Sequence, residues 1–139
     1  MIYLSDNIFA GLETGIAPLV KALLEIDLPT YESCQGHIKP KKKDSFPNVY
    51  LDASSSLFKP DKFIRFSEVL AVWNLKRREK WQWIVAPLIL RRGRGKRVLL
   101  RLRPFESNKE RDPQILACLR KDVLDLAEFI MQVSTKGEQ

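Results

Sequence analysis

The sequence is poor in the residues that build metal and disulfide sites: it has one histidine and two cysteines among 139 residues. A structural zinc site of the Cys/His type needs four ligands, so these three residues alone do not make one. The two cysteines also lie far apart in the chain, unlike the closely spaced cysteines of small secreted proteins. We therefore expect two reduced thiols and no bound metal.

Long apolar runs and cofactor-binding motifs are scarce as well. The longest apolar run, 84–90, contains Pro87 and is too short to cross a bilayer. Residues 1–6 lack the basic and apolar regions of a secretory signal. The sequence has no Walker loop, no dinucleotide-binding glycine pattern and no His-Glu-x-x-His motif, so these motifs leave the cofactor unknown. We expect a cytoplasmic protein with no membrane partner.

Basic charge, in contrast, is abundant and strongly localised. The net charge is +7, and the whole excess lies in residues 81–105, which contain seven basic side chains and no acidic one. Such a segment indicates a polyanionic partner, because one arginine side chain can bind two phosphate oxygens at the same time. We predict a nucleic-acid site made by these seven residues and three lysines of the 36–45 loop: Arg91, Arg92, Arg94, Lys96, Arg97, Arg101, Arg103, Lys41, Lys42 and Lys43.

Two tryptophans precede these basic residues and allow two interpretations. If Trp81 or Trp83 is exposed, it can stack on nucleic-acid bases. In the alternative, both tryptophans belong to the core and the basic residues form a solvated charged loop.

Apolar periodicity predicts three helices. Their faces carry apolar residues at spacings of three and four, as an amphipathic helix requires: Ile16, Leu19, Leu23 and Ile26; Phe63, Phe66, Leu70 and Trp73; and Leu116, Leu119, Val123, Leu126 and Ile130. Thr14 is the predicted N-cap of the first helix, and Pro60 and Pro113 suit the first turns of the other two. Residues 135–139 are predicted to be a frayed tail.

Alternating or β-branched residues predict four strands at 30–34, 47–53, 81–90 and 97–105. The glycine-bearing turn 91–96 joins the last two as an antiparallel hairpin. Pro87 favours an edge position or a bulge in the third strand, since proline donates no ladder hydrogen bond.

This order of elements predicts a single α+β domain over residues 1–139. It contains two successive αββ units that form an antiparallel sheet with the helices packed on one face. A C-terminal helix covers the remaining apolar surface. This is the simplest architecture that buries all three helical stripes.

The candidate site for chemistry is the turn Thr30-Tyr31-Glu32-Ser33-Cys34-Gln35-Gly36-His37, at the end of the first predicted strand. Gly36 permits a tight turn that brings the imidazole of His37 onto the thiol of Cys34. A neighbouring imidazolium favours the reactive thiolate, so we predict Cys34, His37 and Ser33 as catalytic residues. In the alternative, Cys34 is a small buried residue and His37 only ends the strand. A metal here would need carboxylates such as those of Glu32 or Asp52.

The residues around this turn resemble a bacterial family of small proteins of uncharacterised function. That family carries a G-I-x-P-L-V helix and an S-C-x-G-H turn, which match residues 15–20 and 33–37 within a similar stretch over about residues 14–53. The resemblance implies a site at the turn without implying an activity.

A more distant similarity points to RNA. Thr30-x-x-Ser33-Cys34-x-Gly36 is similar to the T-x-x-S-C-S-G-R turn of wybutosine-synthesis methyltransferase-like proteins, which act on tRNA. Gln35 and His37 replace the second serine and the arginine of that motif.

Our leading interpretation is a nucleic-acid-associated protein, RNA slightly ahead of DNA, with the Cys34–His37 turn beside a pocket. The first alternative is a small thiol- or metal-dependent enzyme that acts on a small molecule. The second is a phage- or plasmid-type interaction protein without catalysis.

Overall fold

The computed structural model describes residues 13–37, 46–77, 81–105 and 113–137. Its elements follow the predicted order: α1 (Ala17–Glu25), β1 (Thr30–Cys34), β2 (Asn48–Asp52), α2 (Pro60–Lys76), β3 (Trp83–Arg92), β4 (Gly95–Pro104) and α3 (Pro113–Gly137). The α+β class and the two αββ units followed by a covering helix are confirmed.

The four strands form one antiparallel sheet in the order β1-β2-β4-β3. The two αββ units therefore meet through their second strands, and β1 and β3 lie at the edges. Pro87 sits on the edge strand β3, opposite Leu100 in an unbroken register. Of the two predicted explanations for Pro87, the edge position is the correct one. The irregularity falls instead in β1, between Thr30 and Glu32.

The three helices of the described residues cover one face of the sheet. Val49, Leu51 and Leu102 point from the central strands β2 and β4 into the core and are fully buried. The helices close this core with side chains of the predicted stripes: Ile16, Leu19, Leu23, Phe66, Leu70, Trp73, Leu119, Val123, Leu126 and Ile130. Because side chains alternate along a strand, the remaining positions of β2 and β4 project from the opposite face. We call this opposite face the open face because the described helices pack on the other one; Asn48, Asp52 and Leu99 on it are nevertheless buried.

Helix α1 begins later than the sequence suggests. Ile16, not Thr14, occupies the N-cap position, and the turn before it is closed by hydrogen bonds from the Ile16 and Ala17 N–H groups to the Glu13 carbonyl. Pro18 falls in the first turn, where its missing N–H costs no helical bond. This short turn brings Glu13 into the folded body of the protein.

The hairpin between β3 and β4 is tighter than predicted. Arg92 pairs with Gly95, so Gly93 and Arg94 alone form the turn. Gly93 has a positive φ of 60°, which is expected at the first central position of a type II′ turn. The strands accordingly extend to Arg92 and from Gly95, beyond the predicted bounds. Similarly, α3 continues to Gly137, three residues into the predicted tail, and the last two residues of that tail lie outside the described residues.

Both tryptophans ahead of the basic segment belong to the core side. Trp83 is 1% exposed, and Trp81 packs partly buried against the core. The Trp83 backbone exchanges hydrogen bonds with the Asn74 side chain, and its indole N–H donates to Asp122. Trp83 is therefore not available for base stacking. No helix among the described residues is long and apolar enough to cross a membrane.

Candidate functional site

The predicted Cys/His turn lies at the end of β1, and its shape depends on Gly36. This glycine is buried and has a φ of 87°, a conformation that other residues rarely adopt. A Cβ atom there would lie 2.6 Å from Leu116 Cδ1 and 2.9 Å from Pro47 Cδ. The Gly36 N–H points back and donates to Cys34 Sγ at 3.3 Å. The turn therefore holds the sulfur beside a backbone donor.

Glu13 completes this turn from outside the predicted motif. Its Oε2 lies 2.7 Å from His37 Nε2, and its Oε1 accepts the Gln35 N–H at 2.9 Å. Both oxygens of the carboxylate are therefore held by the turn. Glu13 and His37 are each about one-third exposed, so the pair is open to solvent on one side.

Two further contacts fix the turn to the helices. Gln35 Oε1 accepts the Gly15 N–H at 2.7 Å, and this approach is possible because Gly15 has no Cβ. From α3, Arg120 donates to the carbonyl oxygens of Gln35 and Gly36 at 3.1 and 2.6 Å. Thus the α1 side and α3 both hold the backbone that presents Cys34 and His37.

The side chains of Glu13, Cys34 and His37 consequently form one cluster. One ligand atom from each lies within 4.8 Å of the other two. Ser33 is the neighbour of Cys34 on β1 and pairs with the core residue Val49. Because side chains alternate along a strand, the Ser33 side chain lies on the face of β1 opposite that of Cys34. The structure joins Cys34 and His37 as predicted but does not bring Ser33 to them.

Glu13 is the residue that sequence reasoning missed. The expected carboxylates, Glu32 and Asp52, are not part of this cluster. Asp52 instead forms an ion pair with Arg97. One available signal was Gly15, because a glycine ahead of a helix can mark a close approach of another part of the chain.

The basic residues of the hairpin divide into two groups. Arg91, Arg94 and Lys96 are exposed at the tip of the hairpin, where Arg92 ends β3. Arg97, Arg101 and Arg103 lie on the open face of β4, with buried Leu99 between the first two. Lys41, Lys42 and Lys43 lie outside the described residues.

The open-face arginines have aromatic neighbours. The Arg97 guanidinium lies 5.4 Å from the ring centroid of Tyr31, and the Arg101 guanidinium lies 5.4 Å from that of Tyr50. Tyr31 and Arg97 also line a depression of about 250 Å³ together with Leu90, Gly95 and Lys96. A cationic hollow with a tyrosine at its side therefore lies at the hairpin end of the open face.

The register relates this face to the Cys34 turn. Cys34 pairs with Asn48, and continuing the β2–β4 register by one residue sets Arg103 on the far side of Asn48. Two strand spacings, about 10 Å, then separate Cys34 from Arg103. Arg94 lies nine residues further along, or about 30 Å at the rise of a strand. The hairpin tip and the Cys34 turn are at opposite ends of the sheet.

The second cysteine is in a different environment. Cys118 is exposed on α3. Cys34 is half-buried, and neither residue forms a disulfide. Comparisons of the chain with protein-family models, curated proteins and solved structures find no match.

Proposed function

We propose that the protein binds single-stranded nucleic acid, RNA in preference to DNA, on the open face of its sheet. One observation carries this proposal. Arg97, Arg101 and Arg103 lie along β4 on the face opposite the described helices, with buried Leu99 between the first two, and Tyr31 and Tyr50 lie beside two of the arginines. Cations and aromatic rings are thus interleaved on a single surface.

This combination suits an unpaired strand. Guanidinium groups bind phosphate oxygens, and aromatic side chains stack on bases of any sequence. Other RNA-binding domains use the open face of a four-stranded sheet in this way, with aromatic residues that stack on two or three bases. The nucleic-acid strand would run along β4, from the hollow at Tyr31 and Lys96 toward Arg103.

The arginines are not equivalent in this role. Arg97 is partly neutralised by its ion pair with Asp52, so its net attraction for a phosphate is reduced. Arg101 and Arg103 lie further along the face, and we expect them to contribute more per residue. The similarity of the Thr30–Gly36 turn to a tRNA-modifying family favours RNA over DNA.

The test is a salt titration of binding to mixed-sequence RNA and DNA 12-mers by fluorescence anisotropy. If Lys96, Arg97, Arg101 and Arg103 each neutralise one phosphate, log affinity falls with log salt at a slope of about −3. Replacing Arg101 and Arg103 together by glutamine should reduce the magnitude of this slope by about 1.4, because each lost phosphate contact contributes about 0.7.

The matched control is the Lys62→Gln, Arg65→Gln double variant. Both residues are exposed on α2, on the helix side of the sheet, so this variant has the same charge change away from the open face. The control should bind as the parent does. The proposal is wrong if no binding occurs at 50 mM salt, or if the control loses as much affinity as the open-face variant.

A further inference from the structure

We infer that Glu13, Cys34 and His37 bind one divalent transition-metal ion of the zinc class. This inference does not depend on the proposed nucleic-acid function. The three side chains offer a carboxylate oxygen, a sulfur and an imidazole nitrogen within 4.8 Å of one another. They come from two parts of the chain, the segment before α1 and the end of β1, which the fold brings together.

The spacing is close to that of a tetrahedral site. Zinc bonds to oxygen, nitrogen and sulfur are about 2.0–2.3 Å long, which puts the ligand atoms about 3.3–3.7 Å apart. To admit an ion, the 2.7 Å distance between Glu13 Oε2 and His37 Nε2 would have to increase by roughly 0.6 Å. Ligand atoms as far apart as 4.8 Å would have to approach each other by about 1 Å. Side-chain rotations alone provide movements of this size.

The ligand types select the metal. Thiolate and imidazole suit zinc, cobalt and similar ions, whereas magnesium and calcium take oxygen ligands. A cluster with one sulfur, one nitrogen and one oxygen therefore favours the zinc class. In the absence of metal, the imidazole and the carboxylate bind each other through the short Glu13–His37 contact.

Groups around the cluster already hold the ligands in position. The Gln35 N–H binds Glu13 Oε1, which leaves Oε2 directed at His37. The Gly36 N–H donates to Cys34 Sγ and so fixes the position of the sulfur. Arg120 fixes the two carbonyl groups between Cys34 and His37. Such outer contacts orient ligands and tune affinity at metal sites.

The expectation that no metal binds was based on counting histidines and cysteines. Glu13 adds a third ligand that this count did not include. Three protein ligands leave a fourth position for water or for a group of a substrate, which distinguishes catalytic zinc sites from four-ligand structural ones. The site is therefore suited to an exchangeable ligand and not to a purely structural ion.

The test uses the full chain, stripped of metal with a chelator and titrated with Co²⁺ alone. We expect saturation at one equivalent, with a near-ultraviolet charge-transfer band from thiolate to cobalt that Zn²⁺ abolishes by displacement. Zn²⁺ should also protect Cys34 from alkylation by iodoacetamide, while exposed Cys118 keeps its rate. Absence of saturable binding, or equal alkylation of Cys34 with and without Zn²⁺, would overturn the inference.

Variants identify the ligands. Cys34→Ser should remove the charge-transfer band, and Glu13→Gln should weaken Co²⁺ binding by about 100-fold or more, since even outer-shell changes cost 10- to 100-fold. Glu32→Gln and Cys118→Ser are matched controls, because they change the same residue types outside the cluster. Should Glu13→Gln not fold, the parent and Cys118→Ser titrations still decide. A band that survives Cys34→Ser contradicts the site.

Discussion

Two glycines with a positive φ differ in their surroundings, and they separate backbone strain from crowding. Gly36 sits at a φ of 87° against Leu116 and Pro47, whereas Gly93 sits at a φ of 60° with no atom within 4 Å of an added Cβ. An alanine at either position would have to adopt the left-handed conformation, which is strained for a residue with a Cβ. Only Gly36 would also force its neighbours apart.

We predict that Gly36→Ala lowers the free energy of unfolding by about 2–5 kcal/mol, from about 1–2 kcal/mol of strain and about 1–3 kcal/mol of overpacking. Gly93→Ala should cost only the strain, about 1–2 kcal/mol. Urea denaturation of the two variants and the parent measures both values. Equal losses would mean that the turn is not crowded at Gly36.

The turn that contains Gly36 shows which residues of the cluster could be predicted from the sequence. Cys34 and His37 could be predicted as partners, because a three-residue spacing with a glycine between them is a local property. Glu13 could not be predicted, because its contact with His37 depends on how the segment before α1 docks on the end of β1. No spacing rule connects these two residues.

At the scale of the element, the end of α1 carries a strained residue in place of a glycine. Asp27 has a φ of 64°, and the Asp27 and Leu28 N–H groups donate to the carbonyls of Leu24 and Leu23. This is the Schellman motif, in which the left-handed position is usually glycine. The aspartate therefore adopts a conformation that glycine adopts without steric cost.

We predict that Asp27→Gly raises the free energy of unfolding by about 0.5–1 kcal/mol, because relief of the left-handed strain exceeds the added freedom of the unfolded chain. Glu25→Gly, two residues earlier and exposed at the end of the helix, should instead lower it by up to about 1 kcal/mol. Thermal or urea unfolding distinguishes the two. If both variants lose stability, the strain at Asp27 is compensated by contacts of its side chain.

Elements could be predicted well where one face is buried, and their ends less well. The stripes from Leu119 to Ile130 and from Phe66 to Trp73 follow helical periodicity because the core selects them. The ends of the hairpin strands do not face the core. Arg91 to Lys96 give no apolar signal there, so the predicted turn was longer than the two-residue turn observed.

The burial of Trp83 needed tertiary information as well. Its position beside the arginines is compatible with an exposed ring or a buried one. The decision depends on Asn74 from α2 and Asp122 from α3, which satisfy its polar groups inside the core. Neither contact is local in sequence.

At the scale of the whole molecule, the antiparallel pairing of β2 with β4 determines where the basic residues of the hairpin lie relative to the Cys34 turn. This pairing carries the Cys34 turn to one end of the sheet and the hairpin tip to the other. The open-face arginines form the connection between the two ends. The charge that appears as one run in the sequence is thus spread along the length of the fold.

The distance between the hairpin tip and the Cys34 turn leads to an electrostatic prediction for the metal-free protein. Cys34 should react with anionic iodoacetate faster, relative to neutral iodoacetamide, when nearby cations attract the anion. The ratio of the two rates cancels changes in the amount of thiolate, because both reagents need it. Arg103, about 10 Å away, lies well within the Debye length of about 30 Å at 10 mM salt, whereas Arg94 is about 30 Å away.

We predict that Arg103→Gln lowers the iodoacetate-to-iodoacetamide ratio at Cys34 by about two- to fivefold at 10 mM salt, and that the effect largely disappears at 150 mM. Arg94→Gln should change it by less than about 1.2-fold, because one charge at 30 Å has little effect in water. Exposed Cys118 provides an internal reference on α3, and mass spectrometry of the alkylated peptides gives both rates. If the two variants lower the ratio equally, the potential at Cys34 comes from net charge alone, and Arg103 is not a neighbour of the turn.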